Sequence, residues 1–229
     1  MKIFRNFTNL SVDSVTIGVF DGVHLGHQAV INSLQGTSSV ITFRTNPKFI
    51  LNRVLYNKPI VSFREFATIL KHSGVDFLIV LNFKKISHLT GYEFLTLVKH
   101  YLRPRVIVSG VDNRVGRDRL ELSYDVAKSV LRADKITVPS FYVRNLKVSS
   151  SRLRECVIKG DLKAYTDLTG RKFRIYIKSS DRHIFVKRQL LPNGIFKTMF
   201  GQVAILEEKV YCQDCVKIPA FTFVELYQN

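Results

Sequence analysis

The sequence predicts an α/β protein whose first part carries a parallel sheet and whose last part is a small antiparallel β unit. Through residues 1–170, apolar strand-like segments alternate with amphipathic helical segments, the pattern of parallel sheets with crossover helices. From residue 171 onward the helical period disappears, and short strand-like segments follow one another with turn signals between them. We therefore expect two domains, at residues 1–170 and 171–229.

The elements expected in the first part follow the periodicity of its apolar residues. Strands are expected at residues 15–19, 39–43, 77–81, 106–108 and 136–138, and helices at residues 28–34, 63–71, 92–101 and 124–131. A further helix, capped by Ser150 or Ser151, would end at Gly160, and Asp161 would cap the next one, which Gly170 closes. In the last part, strands are expected at residues 173–178, 183–190, 195–206, 209–211 and 216–226.

Composition limits the classes of partner. The 229 residues carry a formal net charge of +17, with basic residues in excess in both parts, which predicts an anionic partner such as a nucleotide, nucleic acid or membrane surface. No apolar run is long enough to span a bilayer, and the first residues lack the apolar stretch of a signal peptide. Three cysteines, an odd number, argue against a disulfide framework and for a reducing environment. We therefore expect a cytoplasmic protein.

The most informative segment is residues 18–27, which read Gly-Val-Phe-Asp-Gly-Val-His-Leu-Gly-His between an apolar strand and a helix start. Glycines at such a turn let backbone N–H groups approach an anion, and the helix N-terminus adds a partial positive charge. His24 and His27 supply side-chain donors at the same place. The segment therefore predicts a site for a nucleotide phosphate.

Two further segments fit the same chemistry. Residues 148–154 read Val-Ser-Ser-Ser-Arg-Leu-Arg, so hydroxyl and N–H groups at a helix start are followed one turn later by Arg154, whose guanidinium can make a forked contact with phosphate. Residues 109–119 form a glycine-rich turn with an acid and several arginines. That turn can hold a ribose hydroxyl and phosphates, but as a bare pattern it equally fits a solvated turn.

These motifs together resemble those of a known family. Residues 18–27 resemble G-x-F-D-G-x-H-x-G-H, the form that the H-x-G-H signature of nucleotidyltransferases takes in the bacterial FAD synthetase (FMN adenylyltransferase) family. Residues 148–154 are similar to the superfamily's I-S-S-T-x-I-R motif, residues 109–119 to the family's G-x-D-F-R-F-G-x-x-R segment, and residues 160–171 to its G-D-x-x-x-A-x-x-L-L-G-R linker. The resemblance implies a Rossmann-like nucleotidyltransferase domain followed by a remnant of a riboflavin kinase barrel.

The resemblance also implies a reaction and a set of site residues. The expected enzyme transfers AMP from MgATP to FMN and releases FAD and pyrophosphate, with Mg²⁺ arriving with the ATP. The implied catalytic residues are His24, His27 and Arg154; the implied ATP-binding residues are Gly18, Phe20, Asp21, Gly26, Asp112, Arg114, Ser150 and Ser151; and the implied FMN-binding residues are Asn46, Pro47 and Arg119. No protein-held metal site is expected.

The chain departs from the family pattern at identifiable positions. Asn46 stands where the family has histidine, and Asn113 and Val115 stand where it has phenylalanine. Residues 171–229 contain neither the P-T-A-N segment nor the glycine-rich loop of the kinase domain. The resemblance therefore covers about the first 175 residues, and we expect no riboflavin kinase activity.

Three alternatives stay open at this point. The substitutions are compatible with a non-catalytic or re-purposed homologue, and related transferases use other phosphorylated small molecules as acceptors. The charge of +17 also permits a nucleic-acid-binding protein, although the chain has no recognised RNA-binding signature. The sequence predicts no particular oligomeric state.

Overall fold

The computed structural model describes residues 1–47, 50, 58–180, 183–186, 189–207, 209–213 and 221–227. Its main element is a six-stranded sheet in the order β1-β4-β3-β2-β5-β8, with every neighbouring pair parallel. The strands are β1 (Lys2–Phe4), β2 (Ser14–Ile17), β3 (Ser38–Phe43), β4 (Phe77–Leu81), β5 (Val106–Gly110) and β8 (Asp134–Val138). The parallel α/β sheet expected from the sequence is confirmed. Strand β1 was not predicted, because three residues are too few to show a strand period.

The strand order places a topological switch point at β2. The chain adds β3 and β4 on one side of β2, and then continues with β5 on the other side. In open α/β sheets, ligands bind outside the carboxyl ends of the strands at such a point. The carboxyl end of β2 leads directly into residues 18–20, the beginning of the glycine- and histidine-rich segment.

Seven α-helices lie in the described part of the chain. They are α1 (Leu25–Asn32), α2 (Phe63–His72), α3 (Phe83–Ile86), α4 (Gly91–Leu102), α5 (Tyr124–Val126), α6 (Ser150–Ile158) and α7 (Leu162–Thr169), and α5 continues into a π-helical turn at Ala127–Leu131. Helix α4 begins with a capping box in which Thr90 and Glu93 bond reciprocally, so two of its first N–H groups are satisfied.

The helix ends differ from expectation at one point. The cap of α6 is Ser149, whose hydroxyl accepts a hydrogen bond from the N–H of Arg152, so the expectation that Ser150 or Ser151 caps this helix was wrong by one residue. The consequence is that both of those serines lie inside the first turn. The expected caps of α7 are confirmed: the Asp161 side chain accepts from Ala164, and Gly170 ends the helix in the left-handed conformation.

The last part of the chain is antiparallel, as expected. Strand β11 pairs with β12 and β16, and β14 pairs with β13 and β15. The strands are β11 (Arg174–Ser180), β12 (His183–Val186), β13 (Gly194–Thr198), β14 (Gly201–Leu206), β15 (Lys209–Gln213) and β16 (Phe221–Glu225). The single strand expected at residues 195–206 is two strands with a turn at Met199 and Phe200. Of the strand expected at residues 216–226, residues 216–220 lie outside the described residues.

Two short hairpins complete the secondary structure. Strands β6 (Arg114–Val115) and β7 (Leu120–Glu121) pair in the arginine-rich segment, and β9 (Tyr142–Val143) pairs with β10 (Leu146–Lys147) just before α6. Both were missed by the sequence analysis, because two-residue strands show no alternation.

The chain forms two compact units that are interleaved along the sequence. The first comprises Met1–Phe20, Gly26–Arg53 and Ala67–Ser140, and the second comprises Asp21–Leu25, Val54–Phe66 and Phe141–Asn229. The first unit holds the parallel sheet, and the second holds α6, α7 and the antiparallel strands. The division expected from the sequence, at residue 170, stays a prediction.

The core of the first unit lies on the sheet. Its fully buried members include Val15, Ile41, Leu95 and Ile107, which come from β2, β3, α4 and β5.

None of the described helices is long and apolar enough to cross a membrane. Cys212 is disulfide-bonded, which the odd number of cysteines did not predict.

The contact between α4 and the β6–β7 hairpin generates a stability prediction. A Cβ at Gly91 would lie 2.4 Å from the Cβ of Leu120 and 3.0 Å from the carbonyl oxygen of Val115. Although alanine is the better helix former, we expect Gly91→Ala to lower the free energy of unfolding by about 1–3 kcal/mol, because the hairpin must move. Thr96→Ala, at an exposed position of the same helix, should change it by less than about 0.5 kcal/mol. Urea unfolding measures both, and an equal effect of the two variants would contradict the close packing.

Candidate functional site

In the first unit, the carboxyl end of β2 is held by hydrogen bonds from both sides. The N–H of Gly18 donates to the carbonyl of Ile41 at 3.0 Å, and the side-chain amide of Asn113 donates to the carbonyl of Ile17 at 2.9 Å. Asn113 is one of the positions that depart from the family pattern. The Asn113 amide therefore makes a hydrogen bond that a phenylalanine side chain, which has no donor, could not make.

Phe20 and His27 lie together in the same unit. Their ring centroids are 5.3 Å apart in an edge-on arrangement, and Phe20 has a positive φ of 52°. A Cβ at Gly18 would lie 2.9 Å from the Phe20 ring, so only glycine fits there without a shift of the ring. His27 belongs to the first turn of α1 and is half-buried. Gly26 precedes it in that turn.

In the second unit, the Asp21 carboxylate ties three segments together. One of its oxygens accepts the N–H of Ile60 at 2.9 Å, and the other accepts the Arg154 guanidinium at 2.7 Å. The Ser150 hydroxyl donates to the Asp21 backbone carbonyl at 2.9 Å. The two segments that the sequence analysis assigned to phosphate, residues 18–27 and 148–154, therefore meet at Asp21.

Asp21 and Arg154 form a buried ion pair. Their side chains are 7% and 6% exposed. Burial of two charges is costly unless each is paired and hydrogen-bonded. Arg154 was predicted as a catalytic residue and Asp21 as an ATP-binding residue; the structure shows them bonded to each other, and their roles at a phosphate stay predictions.

The backbone after Asp21 is bent into an unusual conformation. Gly22 and Val23 have φ values of 82° and 44°. A Cβ at Gly22 would lie 2.4 Å from Leu153 of α6, so the close approach of this segment to the helix requires glycine. For Val23, a β-branched residue, positive φ is a strained conformation.

His24 follows this bend and is 93% buried, with only 7% of its surface exposed. Burial, with a smaller contribution from the nearby Arg171 charge, lowers the pKa of His24 to about 4. The imidazole is therefore neutral at pH 7. A neutral imidazole still carries one N–H donor, so His24 can donate one hydrogen bond without bringing a charge.

The start of α6 offers donors in a different way than expected. Because Ser149 is the cap, the N–H groups of Ser150 and Ser151 belong to the first turn, where an α-helix leaves such groups without intrahelical partners. The Ser150 hydroxyl proton is used on Asp21. The Ser151 side chain is exposed.

The residues implied for FMN and for the ribose lie in the first unit. Asn46 is buried and Pro47 is half-buried, both just after β3, whereas Asp112, Arg114 and Arg119 are exposed in and around the β6–β7 hairpin. Arg114 is ion-paired with Glu121 across that hairpin. The structure therefore groups the implied FMN and ribose residues with His27, in one unit.

Two residues of the second unit were missed by the sequence analysis. Arg171 donates to the backbone carbonyls of Gly22 and Val23, at 3.0 Å each. Glu65 is only 5% exposed, and burial raises its pKa to about 7 against the opposing charges of Arg171 and Arg174. Arg171 could have been suspected from its place in the linker motif, whereas nothing in the sequence distinguishes Glu65 from a surface residue of α2.

Among the described residues, no group of three histidine, cysteine, aspartate or glutamate side chains lies close enough together to hold a metal ion.

Comparison with known proteins finds similar sequences over most of the chain. A family profile described as FAD synthetase matches residues 7–152. Among curated relatives, the bifunctional riboflavin kinase/FMN adenylyltransferase of Escherichia coli strain K12 is 29% identical over 192 residues, covering 76% of this chain and 61% of the relative. The corresponding protein of Buchnera aphidicola (from Schizaphis graminum) is 26% identical over 195 residues with the same coverage. The FAD synthetase of Listeria monocytogenes is 27% identical and covers 70% of both chains.

The chain thus spans about three fifths of the length of the bifunctional relatives that it matches. A solved structure titled macrolide-efflux protein, from Streptococcus pneumoniae, has a TM-score of 0.81, with 22% identity and coverage of 98% of this chain and 96% of that one. At that identity the likeness shows the fold alone.

The Asp21–Arg154 pair generates a stability prediction. Arg154→Met leaves the Asp21 carboxylate buried without its countercharge, so we expect the free energy of unfolding to fall by about 3–5 kcal/mol. Arg152→Met, in the same helix but with its guanidinium on the exposed carbonyl of Leu146, should cost less than about 1 kcal/mol. The double variant Asp21→Asn/Arg154→Met should recover part of the loss. Urea unfolding measures the free energy of unfolding of each variant. Equal losses in Arg154→Met and Arg152→Met would contradict the pairing.

Glu65 generates a prediction about pH. Its folded-state pKa of about 7 lies above the unfolded value, so its protonation stabilises the folded state, and this contribution disappears as pH rises from about 4.5 to 7. His24 acts in the opposite sense, since its lowered pKa costs stability as pH falls from about 6.5 to 4.

Glu65→Gln isolates the first effect, because glutamine imitates the protonated acid at every pH. We expect the stability of this variant relative to the parent protein to rise by about 3 kcal/mol between pH 5 and pH 8. Glu155→Gln, at an exposed position of α6, should show no such change. Urea unfolding at both pH values gives the comparison, and parallel pH profiles for Glu65→Gln and the parent would refute a buried, protonated Glu65.

Proposed function

The chain belongs to the FAD synthetase family, and from that premise we propose that it is an FMN adenylyltransferase. In the proposed reaction a phosphate oxygen of FMN attacks the α-phosphorus of MgATP. A bond forms between that oxygen and the α-phosphorus, the bond from the α-phosphorus to the bridging oxygen of the β-phosphate breaks, and FAD and pyrophosphate are the products. The attacking phosphate is already ionised at neutral pH, so the reaction needs positioning and charge stabilisation more than a strong base.

One observation supports this proposal above the others: the two predicted phosphate-binding segments share the Asp21 anchor. Arg154 and Ser150 of α6 both bond to Asp21, which lies shortly before His24 in the chain. The start of α6 is thereby tied to the turn that carries His24, within the second unit. That is the arrangement needed to hold a polyphosphate from two sides.

We assign the roles as follows. His24 and His27 would donate to α- and β-phosphate oxygens as negative charge develops during transfer. The first-turn N–H groups of Ser150 and Ser151 would hold the β- and γ-phosphates, with the Arg154 guanidinium fixed at the same helix by Asp21. Gly18, Phe20 and Gly26 would line the nucleotide site.

The flavin and ribose contacts complete the proposal. Asp112 and Arg114 would bind the ATP ribose and phosphates, and Asn46, Pro47 and Arg119 would contact FMN. Mg²⁺ would arrive as part of MgATP, bound to phosphate oxygens and water, as is usual for this ion. Because residues 171–229 carry no kinase motif, we propose that these 229 residues do not phosphorylate riboflavin. The expected cytoplasmic location stays a prediction.

A direct assay tests the reaction. The protein is incubated with MgATP and either FMN or riboflavin, and the products are separated by chromatography. We expect FAD and pyrophosphate from FMN, and no FMN from riboflavin. Binding of MgATP without FAD formation would instead support a non-catalytic homologue or a transferase for a different phosphorylated acceptor, and salt-sensitive binding of RNA without ATP binding would support the nucleic-acid alternative.

A histidine variant tests the site. His27→Ala should lower the rate of FAD formation by about two to three powers of ten, because it removes one donor to the transferring phosphate. His88→Ala, at an exposed position, serves as the matched control and should keep the parent rate. The thermal midpoint of both variants is compared with that of the parent, and a fully active His27→Ala would refute the assignment.

A further inference from the structure

The bend at residues 20–23 needs an external restraint. Phe20, Gly22 and Val23 all have positive φ, and for the two non-glycine residues this conformation is strained. Such a conformation persists only where surrounding contacts hold it. His24 follows the bend directly, so whatever holds Gly22 and Val23 also fixes the position of His24.

Arg171 supplies the most direct of these contacts. Its two terminal nitrogens donate to the carbonyls of Gly22 and Val23, at 3.0 Å each. A guanidinium presents parallel donors in a rigid planar fork, whereas an ammonium is a single point. The two consecutive carbonyls of Gly22 and Val23 can therefore both be bound by one guanidinium, but not in the same geometry by the ammonium of a lysine.

Arg171 is itself held in place by the end of α7. The Thr169 hydroxyl donates to the Tyr165 carbonyl at 2.8 Å and accepts the Arg171 N–H at 3.2 Å. Gly170 between them has a φ of 66° and closes the helix by donating to Thr166. The backbone of Arg171 is thus fixed before its side chain reaches the bend.

A second chain of contacts holds the same bend through Asp21. Leu190 donates to the carbonyl of Pro59 at 2.8 Å, and the Gln189 amide donates to the carbonyl of Ile60 at 3.4 Å. Ile60 in turn donates to the Asp21 carboxylate. Residues beyond Gly170 therefore act on both ends of the bend, although they carry no kinase motif.

We propose that Arg171 is a positioning residue for adenylyl transfer, which holds Gly22 and Val23 in the left-handed conformation that presents His24 to the polyphosphate. This inference rests on the proposed function for its catalytic part. Its structural part, the restraint of the bend, stands on the two hydrogen bonds alone. It also gives Arg171, Gln189 and Leu190 a role in supporting the nucleotide site, in place of riboflavin phosphorylation.

The test compares Arg171→Lys with Arg144→Lys. Lysine keeps the positive charge at position 171 but cannot donate to both carbonyls in the arginine geometry. Arg144 provides the matched control, because it also loses a guanidinium contact in the second unit, with Asp167 at 2.9 Å, but at an exposed position. Two readouts are measured on the full chain: hydrogen exchange of the peptide covering residues 20–25, which needs no activity, and the kinetics of FAD formation.

For Arg171→Lys we expect exchange in residues 20–25 at least about 10-fold faster than in the parent, with unchanged exchange in the β2–β5 strands. We also expect kcat at saturating MgATP and FMN to fall by about 10- to 100-fold. A displaced His24 would no longer donate its hydrogen bond well to the phosphate oxygens in the transition state. The KM for MgATP should change by less than about threefold, since most of the phosphate contacts remain. Arg144→Lys should leave all three quantities unchanged.

Parent-like exchange at residues 20–25 in Arg171→Lys would overturn the inference. A uniform rise of exchange across the whole chain would also overturn it, since that would show a general loss of stability rather than a released bend. If the parent protein forms no FAD, the proposed function fails together with the catalytic part of the inference, and exchange at residues 20–25 still decides whether Arg171 holds the bend.

Discussion

The buried carboxylate of Asp21 is the constraint on which the candidate site depends. It accepts a backbone N–H from Ile60 and a guanidinium from Arg154, and its own carbonyl accepts the Ser150 hydroxyl. A carboxylate with 7% exposure is stable only when its charge and its lone pairs are satisfied. The need to satisfy one charge therefore brings three segments of the second unit together.

The electrostatics of this unit follow from that burial. His24 is neutral because a buried imidazole loses the hydration of its charged form, and the neighbouring Arg171 charge acts in the same direction. Glu65 holds a proton more tightly than an exposed carboxylate for the same reason. The Arg154 charge is balanced by the Asp21 carboxylate, and the Arg171 charge acts on both the neutral His24 and Glu65.

The last part of the chain contacts the segment that supports Asp21, although residues 171–229 carry no kinase motif. Its first strand begins at Arg174, and Gln189 and Leu190 bond to the segment that supports Asp21. In the first unit, Asn113 stands where the family pattern has phenylalanine. Its side-chain amide donates to the carbonyl of Ile17 at the end of β2.

Several parts of this arrangement were readable from the sequence. Periodicity gave the parallel sheet and the antiparallel strands, since apolar alternation reflects which faces are buried. The decapeptide at residues 18–27 and the serines at residues 149–151 indicated phosphate chemistry, because glycine turns, histidines and helix starts supply hydrogen-bond donors to an anion. Two-residue hairpins and the exact cap of α6 could not be predicted, since neither leaves a period in the sequence.

The sequence by itself determined the fold class, the family resemblance and the types of side chain available to a nucleotide. Only the tertiary structure decided what those side chains bind: that Arg154 pairs with Asp21, that Arg171 bonds to the Gly22 and Val23 carbonyls, and that Glu65 is buried beside two arginines. These pairings join residues more than one hundred positions apart in the chain. Local patterns do not encode them, because burial and partner choice are set when the whole chain packs.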